Sequence, residues 1–244
     1  EDCHFWGRLS MRDRNVEGSR ALGFNRLAEH RLSQAFEPPL KRNGSALYIG
    51  AHRGAEDGRH FRERFGLFLH LFEPSPSFFG SLKAALEGLP GFALHNYGLG
   101  ASTSMARLRL SGTGSRTVLG ATDPSEETED VLIRAVAEAV PEALSTGGST
   151  DGNVELLHVN CEGCEYEVVE SMRHIGLLAR IKHVQIATHL LDPPVASSTF
   201  HDAVELALQA SISRYCAMHR ALSQTHTRIW GLPWVWERWT RQGS

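Results

Sequence analysis

Residues 46–54 read Ala46-Leu47-Tyr48-Ile49-Gly50-Ala51-His52-Arg53-Gly54. A short apolar run meets a glycine-bearing loop, and a helical stretch from about Ala55 to Phe65 follows. Strand, glycine loop and helix in that order open a βαβ unit. Glycines let the backbone pass close to a ligand, and the free N–H groups at the start of the next helix suit a nucleotide or nucleoside. The loop lacks the G-x-G-x-x-G fingerprint, so by itself it also fits a tight turn.

Working outward, Leu67 to Phe72 is a second apolar run that stops at Glu73-Pro74, with a helix expected over Phe78 to Leu86. Phe92 to Tyr97 is a third run, ended by Gly98. Val154 to Val159 and Ile181 to Ala187 read as two further strands, separated by a helix carrying Val168, Val169, Met172 and Ile175 on its apolar side. Strands alternating with helices at this spacing predict an α/β fold with a doubly wound, mostly parallel sheet. Residues 99–124, rich in Gly, Ser and Thr, read as a hairpin-like insertion whose Ala106 to Leu110 alternates as a half-exposed strand.

Asp123-Pro124-Ser125 is expected to start a helix whose face is Val131, Leu132, Ala135, Val136, Ala139 and Val140. Phe200, Ala203, Val204, Ala207, Leu208 and Ile212 mark another helix, and Arg214 to Ile229 reads as two strands closing the sheet as an antiparallel pair. Trp230, Trp234, Trp236 and Trp239 are expected to pack and anchor the C-terminus. Near the start, Leu27, Ala28, Leu32, Ala35 and Phe36 follow helical spacing up to Pro38. The organisation that follows is an N-terminal helical extension over 1–40 and one domain over 41–244.

The chain has 244 residues, 41% hydrophobic and 22% charged, with a formal net charge of −3 and 13 His. This composition is that of a soluble globular protein and disfavours a basic nucleic-acid scaffold. No apolar run approaches the roughly 20 residues of a membrane-spanning helix. The sequence begins at Glu1 rather than Met, and its compartment stays open. Arg12, Arg14, Arg20, Arg26 and Arg31 read as a solvated basic helix face, with docking of an acidic or sulfated glycan left open.

Four cysteines do not make a disulfide scaffold in a chain this long. Cys161 and Cys164 have C-x-x-C spacing, but a structural zinc needs a second such pair, and only Cys3, Cys216 and scattered His remain. No metal site is expected, Cys161 and Cys164 are taken as packing or turn residues, and a bond between Cys3 and Cys216 stays open.

Glu73 gives the first loop a partner, since it lies 23 residues after Gly50 at the end of the second strand. An acid about 20 residues past such a loop is where a Rossmann-like site accepts hydrogen bonds from ribose hydroxyls. Loop and acid together favour an adenosyl ligand. Ligands of parallel sheets lie outside the carboxyl ends of the strands near the switch point, which puts His158 to Glu162 at that edge.

Tyr48 to Gly54, Phe72-Glu73-Pro74-Ser75-Pro76, Tyr97-Gly98-Leu99-Gly100 and Leu156 to Val169 together resemble the FkbM family of S-adenosylmethionine-dependent methyltransferases, in order and spacing from about residue 46 to 190. The Glu-Pro-x-Pro and Glu-Gly-x-Glu pieces are the specific ones. The resemblance implies a Rossmann-like class I methyltransferase fold, a seven-stranded sheet with helices on both faces, and S-adenosyl-L-methionine as cofactor. It also implies O-methylation of a hydroxyl, on a sugar or small metabolite. By position it puts Gly50, Ala51, His52 and Gly54 along the methionine part of the cofactor, Glu73 at the ribose, Asn96, Tyr97 and Gly98 near the adenine, and Asn160 and Glu162 at the cofactor edge. Where the family commonly has Asp-Val-Gly-Ala-Asn this chain has Tyr48 to His52, and where the family has Asp after Lys-Ile it has Asn160, which keeps an acceptor without the charge.

Methyl transfer is mostly positioning, because the sulfonium is already a good leaving group. For an alcohol acceptor a neutral His can take the proton. His158, near the end of the fourth strand, and His189, just after the fifth, are the candidates, with His189 preferred because Gln185 to His189 ends at the sheet's mouth. Two alternatives stay open: a catalytically silent binding protein on the same fold, suggested by Tyr48 and Asn160, and a nicotinamide-dependent oxidoreductase, which Gly50 to Gly54 with Glu73 alone would permit.

Overall fold

The computed structural model describes residue 32 and residues 35–110, 116–118, 127–148, 151–191, 200–232 and 234–243. The helix expected from Phe24, the five N-terminal arginines and Cys3 lie outside the described residues, apart from Leu32, Ala35 and Phe36.

The first βαβ unit forms as the pattern predicts. Strand β1 (Ser45–Ile49) leads through the glycine loop into helix α1 (Glu56–Phe65), then β2 (Phe68–Phe72), helix α2 (Pro76–Ala85) and β3 (Phe92–His95). Helix α1 stops at Gly66, which takes the left-handed conformation (φ 70°) and returns its N–H to the Arg62 carbonyl. Helix α2 starts where Ser75 accepts a hydrogen bond from the Phe78 N–H and Pro76 occupies the first turn. After an insertion come helix α3 (Val136–Leu144), β8 (Val154–Val159), α4 (Glu165–His174), β9 (Ile181–Ala187), α5 (Phe200–Ser223), β10 (His226–Leu232) and β11 (Trp236–Arg241).

These strands make one seven-stranded sheet in the order β10-β11-β9-β8-β1-β2-β3. The five strands β3, β2, β1, β8 and β9 are mutually parallel, and β11 and β10 close one edge antiparallel. The strand order reverses between β1 and β8, which makes the crevice at their carboxyl ends the switch point. This is the α/β, Rossmann-like, seven-stranded arrangement that the class I methyltransferase resemblance implies.

Both faces of the sheet are covered, so β1 and β8 are buried along their whole length and read as continuous apolar runs. One face carries Ala46, Tyr48, Leu69, Leu71 and Leu156 against Phe61 of α1 and Leu82 of α2. The other carries Leu47, Ile49, Phe72, Leu157, Val159, Val184 and Ile186 against α3, α4 and α5. Each such side chain contributes about 1.5–3 kcal/mol by leaving water. Glu155 of β8 is paired: it accepts from the Lys41 N–H at 2.9 Å and pairs with Lys182.

Three expectations are corrected. Residues 128–135 are a strand, β7 (Thr128–Ala135), and only Val136 onward is helical. Pairing of Met105 with Leu132 and Ala106 with Val131 imposes a period of two on that segment, so Leu132 is 38% exposed while Val131 is buried. Strands β4 (Gly98–Gly100), β5 (Ser104–Arg109), β6 (Arg116–Val118) and β7 form a second, four-stranded sheet, larger than the hairpin expected there. Residues 214–223 continue α5 instead of starting a strand, because Ile212, Tyr215, Cys216, Met218 and Leu222 extend one buried helical stripe. The C-terminal tryptophans do pack, with Trp234, Trp236 and Trp239 all buried.

Candidate active site

The carboxyl ends of β1, β2, β8 and β9 carry two turns that flank the switch point. In the first, Gly50 (φ 83°), His52 (φ 55°) and Ala55 (φ 43°) are left-handed. A Cβ on Gly50 would sit 2.0 Å from the Asn160 carbonyl oxygen, so glycine is what lets the two turns approach. Asn160 donates its N–H to the Ile49 carbonyl at 2.9 Å, and Gly50 and Ala51 donate theirs to the Phe72 carbonyl at 3.0 and 3.1 Å.

Glu73 is buried at the end of β2. Its Oε2 accepts the His52 N–H at 2.8 Å and its Oε1 accepts the Ser75 N–H at 2.9 Å. Burial pushes its pKa up, against the pull of those two amides. A carboxylate has about four acceptor positions, so lone pairs remain beyond the two amide bonds. Asn96 donates to the Glu73 carbonyl at 3.0 Å and secures the same strand end. Ser75 also binds Glu129 of β7, which ties the inserted sheet to this corner. His52 meets Phe78 edge-on at 4.4 Å between centroids, and the Arg53 guanidinium lies 4.5 Å above the same ring.

In the second turn, Glu162 (φ 54°) and Gly163 (φ 114°) are both left-handed. Glu162 Oε1 lies 3.2 Å from His189 Nε2. Glu165, with its side chain fully buried, accepts the Gly163 N–H at 2.8 Å and the His189 N–H at 2.7 Å, and its Oε1 lies 3.2 Å from His189 Nδ1. Burial alone would lower the His189 pKa, but hydrogen bonds to Glu162 and Glu165 outweigh it and raise the pKa to about 9. His189 at neutral pH is therefore an imidazolium donating from both nitrogens. The neutral-base role expected for it does not fit this environment.

His158 is corrected more fully. It is the penultimate residue of β8, near the strand end as expected, but its side chain is 1% exposed and packs on the α1 face. It meets Tyr48 edge-on at 4.5 Å, stacks on Trp236 at 5.1 Å and bonds Gln185 through Nδ1 at 3.2 Å. Its Nε2 is 3.3 Å from Asp57 Oδ2 without hydrogen-bond alignment. Tyr48 itself is buried beside Gly58 of α1, so its ring fills core. Gly98 belongs to the second sheet, where a Cβ would meet Ile133 at 2.6 Å. Tyr97 contacts His95 through its hydroxyl at 3.3 Å and lies under Arg134. The Gly54 backbone lies against Glu56, its Cβ position 2.4 Å from Oε1.

The structure thus brings Gly50 to Asn160, His52 and Asn96 to Glu73, and Glu162 to His189, keeps Gly98 of the second sheet against Pro74, and leaves His158 in the core. It adds Glu165 and Asp57. Glu165 closes the Glu-Gly-x-Glu piece visible in the sequence, whereas Asp57 carried no signal beyond its place in the first turn of α1. Cys161 and Cys164 bracket the turn after β8 and pack against the main core, as expected, and they are in addition disulfide-bonded to each other. Cys216 is also in a disulfide. Among the described residues no cluster of three or more His, Cys, Asp or Glu could hold a metal ion, and no helix is long and apolar enough to cross a membrane.

No family model matches the chain, and no curated protein matches it. Solved structures to which the chain is similar include the fibrillarin pre-rRNA processing protein of Methanococcus jannaschii, at 11% identity and a TM-score of 0.44 over 84% of this chain and 70% of that one. The N-methyltransferase NodS of Bradyrhizobium japonicum, solved with S-adenosyl-L-homocysteine, aligns at 11% identity and a TM-score of 0.41 over 97% of this chain and 98% of its own. The O-methyltransferase TomG of Streptomyces achromogenes, solved with S-adenosylmethionine, aligns at 11% identity and a TM-score of 0.42 over 100% and 91%.

Proposed function

We propose that this chain is an S-adenosyl-L-methionine-dependent methyltransferase acting on a hydroxyl of a sugar or small metabolite. The observation that carries the reading is Glu73: a buried carboxylate beside the switch point, fixed by two loop amides and, among the described residues, with lone pairs to spare beside a left-handed glycine turn. Those are the features a ribose diol needs, since two adjacent hydroxyls can donate to one carboxylate.

On this reading Glu73 binds the ribose, the Gly50–Gly54 turn and Asn160 border the methionine part, and Asn96 to Gly98 border the base. The bound cofactor supplies an electrophilic methyl group on a sulfonium. The chain's own task is to hold an acceptor oxygen in line and take its proton. His189, as an imidazolium, holds the Glu162 carboxylate from one side, with Nε2 3.2 Å from Oε1. Glu162, whose side chain is 22% exposed at the tip of its turn, is the group we assign to receive the hydroxyl proton. His189 then acts through Glu162 as a positioning residue.

Titration calorimetry with S-adenosylmethionine and, separately, with NAD tests the cofactor. Binding of the former alone supports the reading, and binding of NAD alone overturns it in favour of an oxidoreductase. Transfer of labelled methyl to a panel of hydroxyl compounds tests the reaction, with Glu162→Gln expected to lower kcat while leaving cofactor affinity within about twofold. Binding without turnover on any acceptor favours the silent relative, for which Asn160 in place of a charged side chain is the motivating residue.

A further inference from the structure

We propose that Cys161 and Cys164 form a thiol–disulfide exchange site, open to small dithiol reductants, whose closure holds Glu162 against His189. The pair lies in the turn between β8 and α4, with Cα atoms 5.5 Å apart, and encloses only Glu162 and Gly163. Both enclosed residues are left-handed, a conformation that glycine tolerates and glutamate adopts only under constraint. The cross-link removes the extended alternatives, so the turn keeps Glu162 aimed at His189 Nε2, 3.2 Å away.

The two sulfurs are not equivalent. Cys164 is the N-cap of α4, a helix of ten residues, where the helix dipole favours a thiolate. Cys161 Sγ lies 3.6 Å from the buried Glu165 carboxylate, which opposes negative charge on it. Attack on the Cys161 sulfur therefore expels the better leaving group. The thiolate of the dithiol bonds to Cys161 and Cys164 leaves as thiolate. The reagent's second thiol then displaces Cys161, so the pair gains two electrons and two protons and the reagent becomes a cyclic disulfide. Both cysteines are partly exposed, whereas the other described disulfide cysteine, Cys216, is 1% exposed. Access favours the C-x-x-C pair.

The groups facing the His189 ring are Glu162 on the turn and Glu165 on α4, with the Tyr166 hydroxyl on the His189 carbonyl. Opening the pair removes the first and leaves the second. The titration of His189, read by NMR on ring-labelled protein, therefore reports the switch without any cofactor or substrate and is independent of the methyltransferase reading. With the pair closed the midpoint is expected near pH 9. Treatment of the folded protein with dithiothreitol, with alkylation and mass spectrometry locating the new thiols at Cys161 and Cys164, should lower the midpoint by about one unit, a tenfold change in proton affinity. The Cys161→Ser/Cys164→Ser double variant should show the lowered midpoint without reductant. Cys216→Ser should behave as the parent, and Glu162→Gln should be lowered in both redox states. The proposal is overturned if native Cys161 and Cys164 stay unalkylated after reductant, or if the midpoint is unchanged when they are open.

Discussion

Glu73 and Glu165 are two buried glutamates at the ends of adjacent turns, and each stitches its own turn to a neighbour through two backbone N–H groups. Glu73 joins His52 to Ser75, and Glu165 joins Gly163 to His189. The difference is a counter-charge. Glu165 faces the His189 imidazolium and spends its lone pairs inside the protein, while among the described residues Glu73 has no hydrogen-bonded cation, and burial raises its pKa. A saturated carboxylate stabilises the fold, and an undersaturated one is available to a ligand.

The largest expected effect breaks the saturated side. Glu165→Ala leaves His189 Nδ1–H and two amides without their acceptor, Glu162 being the cation's remaining partner, and should cost about 4 kcal/mol, the range for breaking a buried pair, measured by urea unfolding. A loss below about 1 kcal/mol would mean that the pair is not closed in solution. Next, Gly50→Ala forces a Cβ to 2.0 Å from the Asn160 carbonyl and strains a left-handed residue. The expected loss is about 3 kcal/mol, with both turns displaced in amide chemical shift. Glu73→Ala should cost less stability, about 2 kcal/mol for two unpaired amides, yet abolish S-adenosylmethionine binding by calorimetry. Unchanged binding would remove Glu73 from the site.

Protonation sharpens the same contrast. Burial lowers His70, His183 and His226 to about 4. Unfolded imidazoles titrate near about 6.5, so below that the unfolded chain takes up more protons and stability falls as pH drops towards 4. Glu237, held below the usual carboxylate range by His219 and Tyr215 despite its burial, works in the same direction, and Glu73 works against it. His189 is raised to about 9, so its contribution is present below about 6.5 and lost as pH rises from there to 9. Thermal unfolding across pH 4–9 should therefore peak near about 6.5, with slopes up to about 1.4 kcal/mol per pH unit for each group. His189→Gln should flatten the alkaline limb alone. The smallest effect is Ser75→Ala, which removes the α2 cap and the link to Glu129 for about 1 kcal/mol, read as a lowered Tm with β4–β7 amides perturbed.

The main sheet was legible because β1, β2, β8 and β9 are short apolar runs closed by Gly50, Glu73-Pro74, Asn160 and Thr188, so run length and stop signal agree. The inserted sheet was not. Val131 to Val140 satisfies a helical period on paper, and only pairing with β5 shows that its first half is extended. At the site, Glu73 and the Gly50 turn were visible because their spacing follows from the length of a βαβ unit. The ionisation of His189 was invisible, because it depends on Glu162 and Glu165 arriving from a different turn.

The sequence by itself determined the alternation of strands and helices, the glycine turn after β1 and the acid after β2, since each is set by local periodicity and by the residues that end a run. Only the tertiary structure decided that β8 inserts beside β1, which presses Gly50 onto Asn160, turns His158 into the core and leaves His189 between two carboxylates. The reason is range: local sterics act within a few residues, whereas charge and burial act on groups that only the completed sheet brings within a few ångströms.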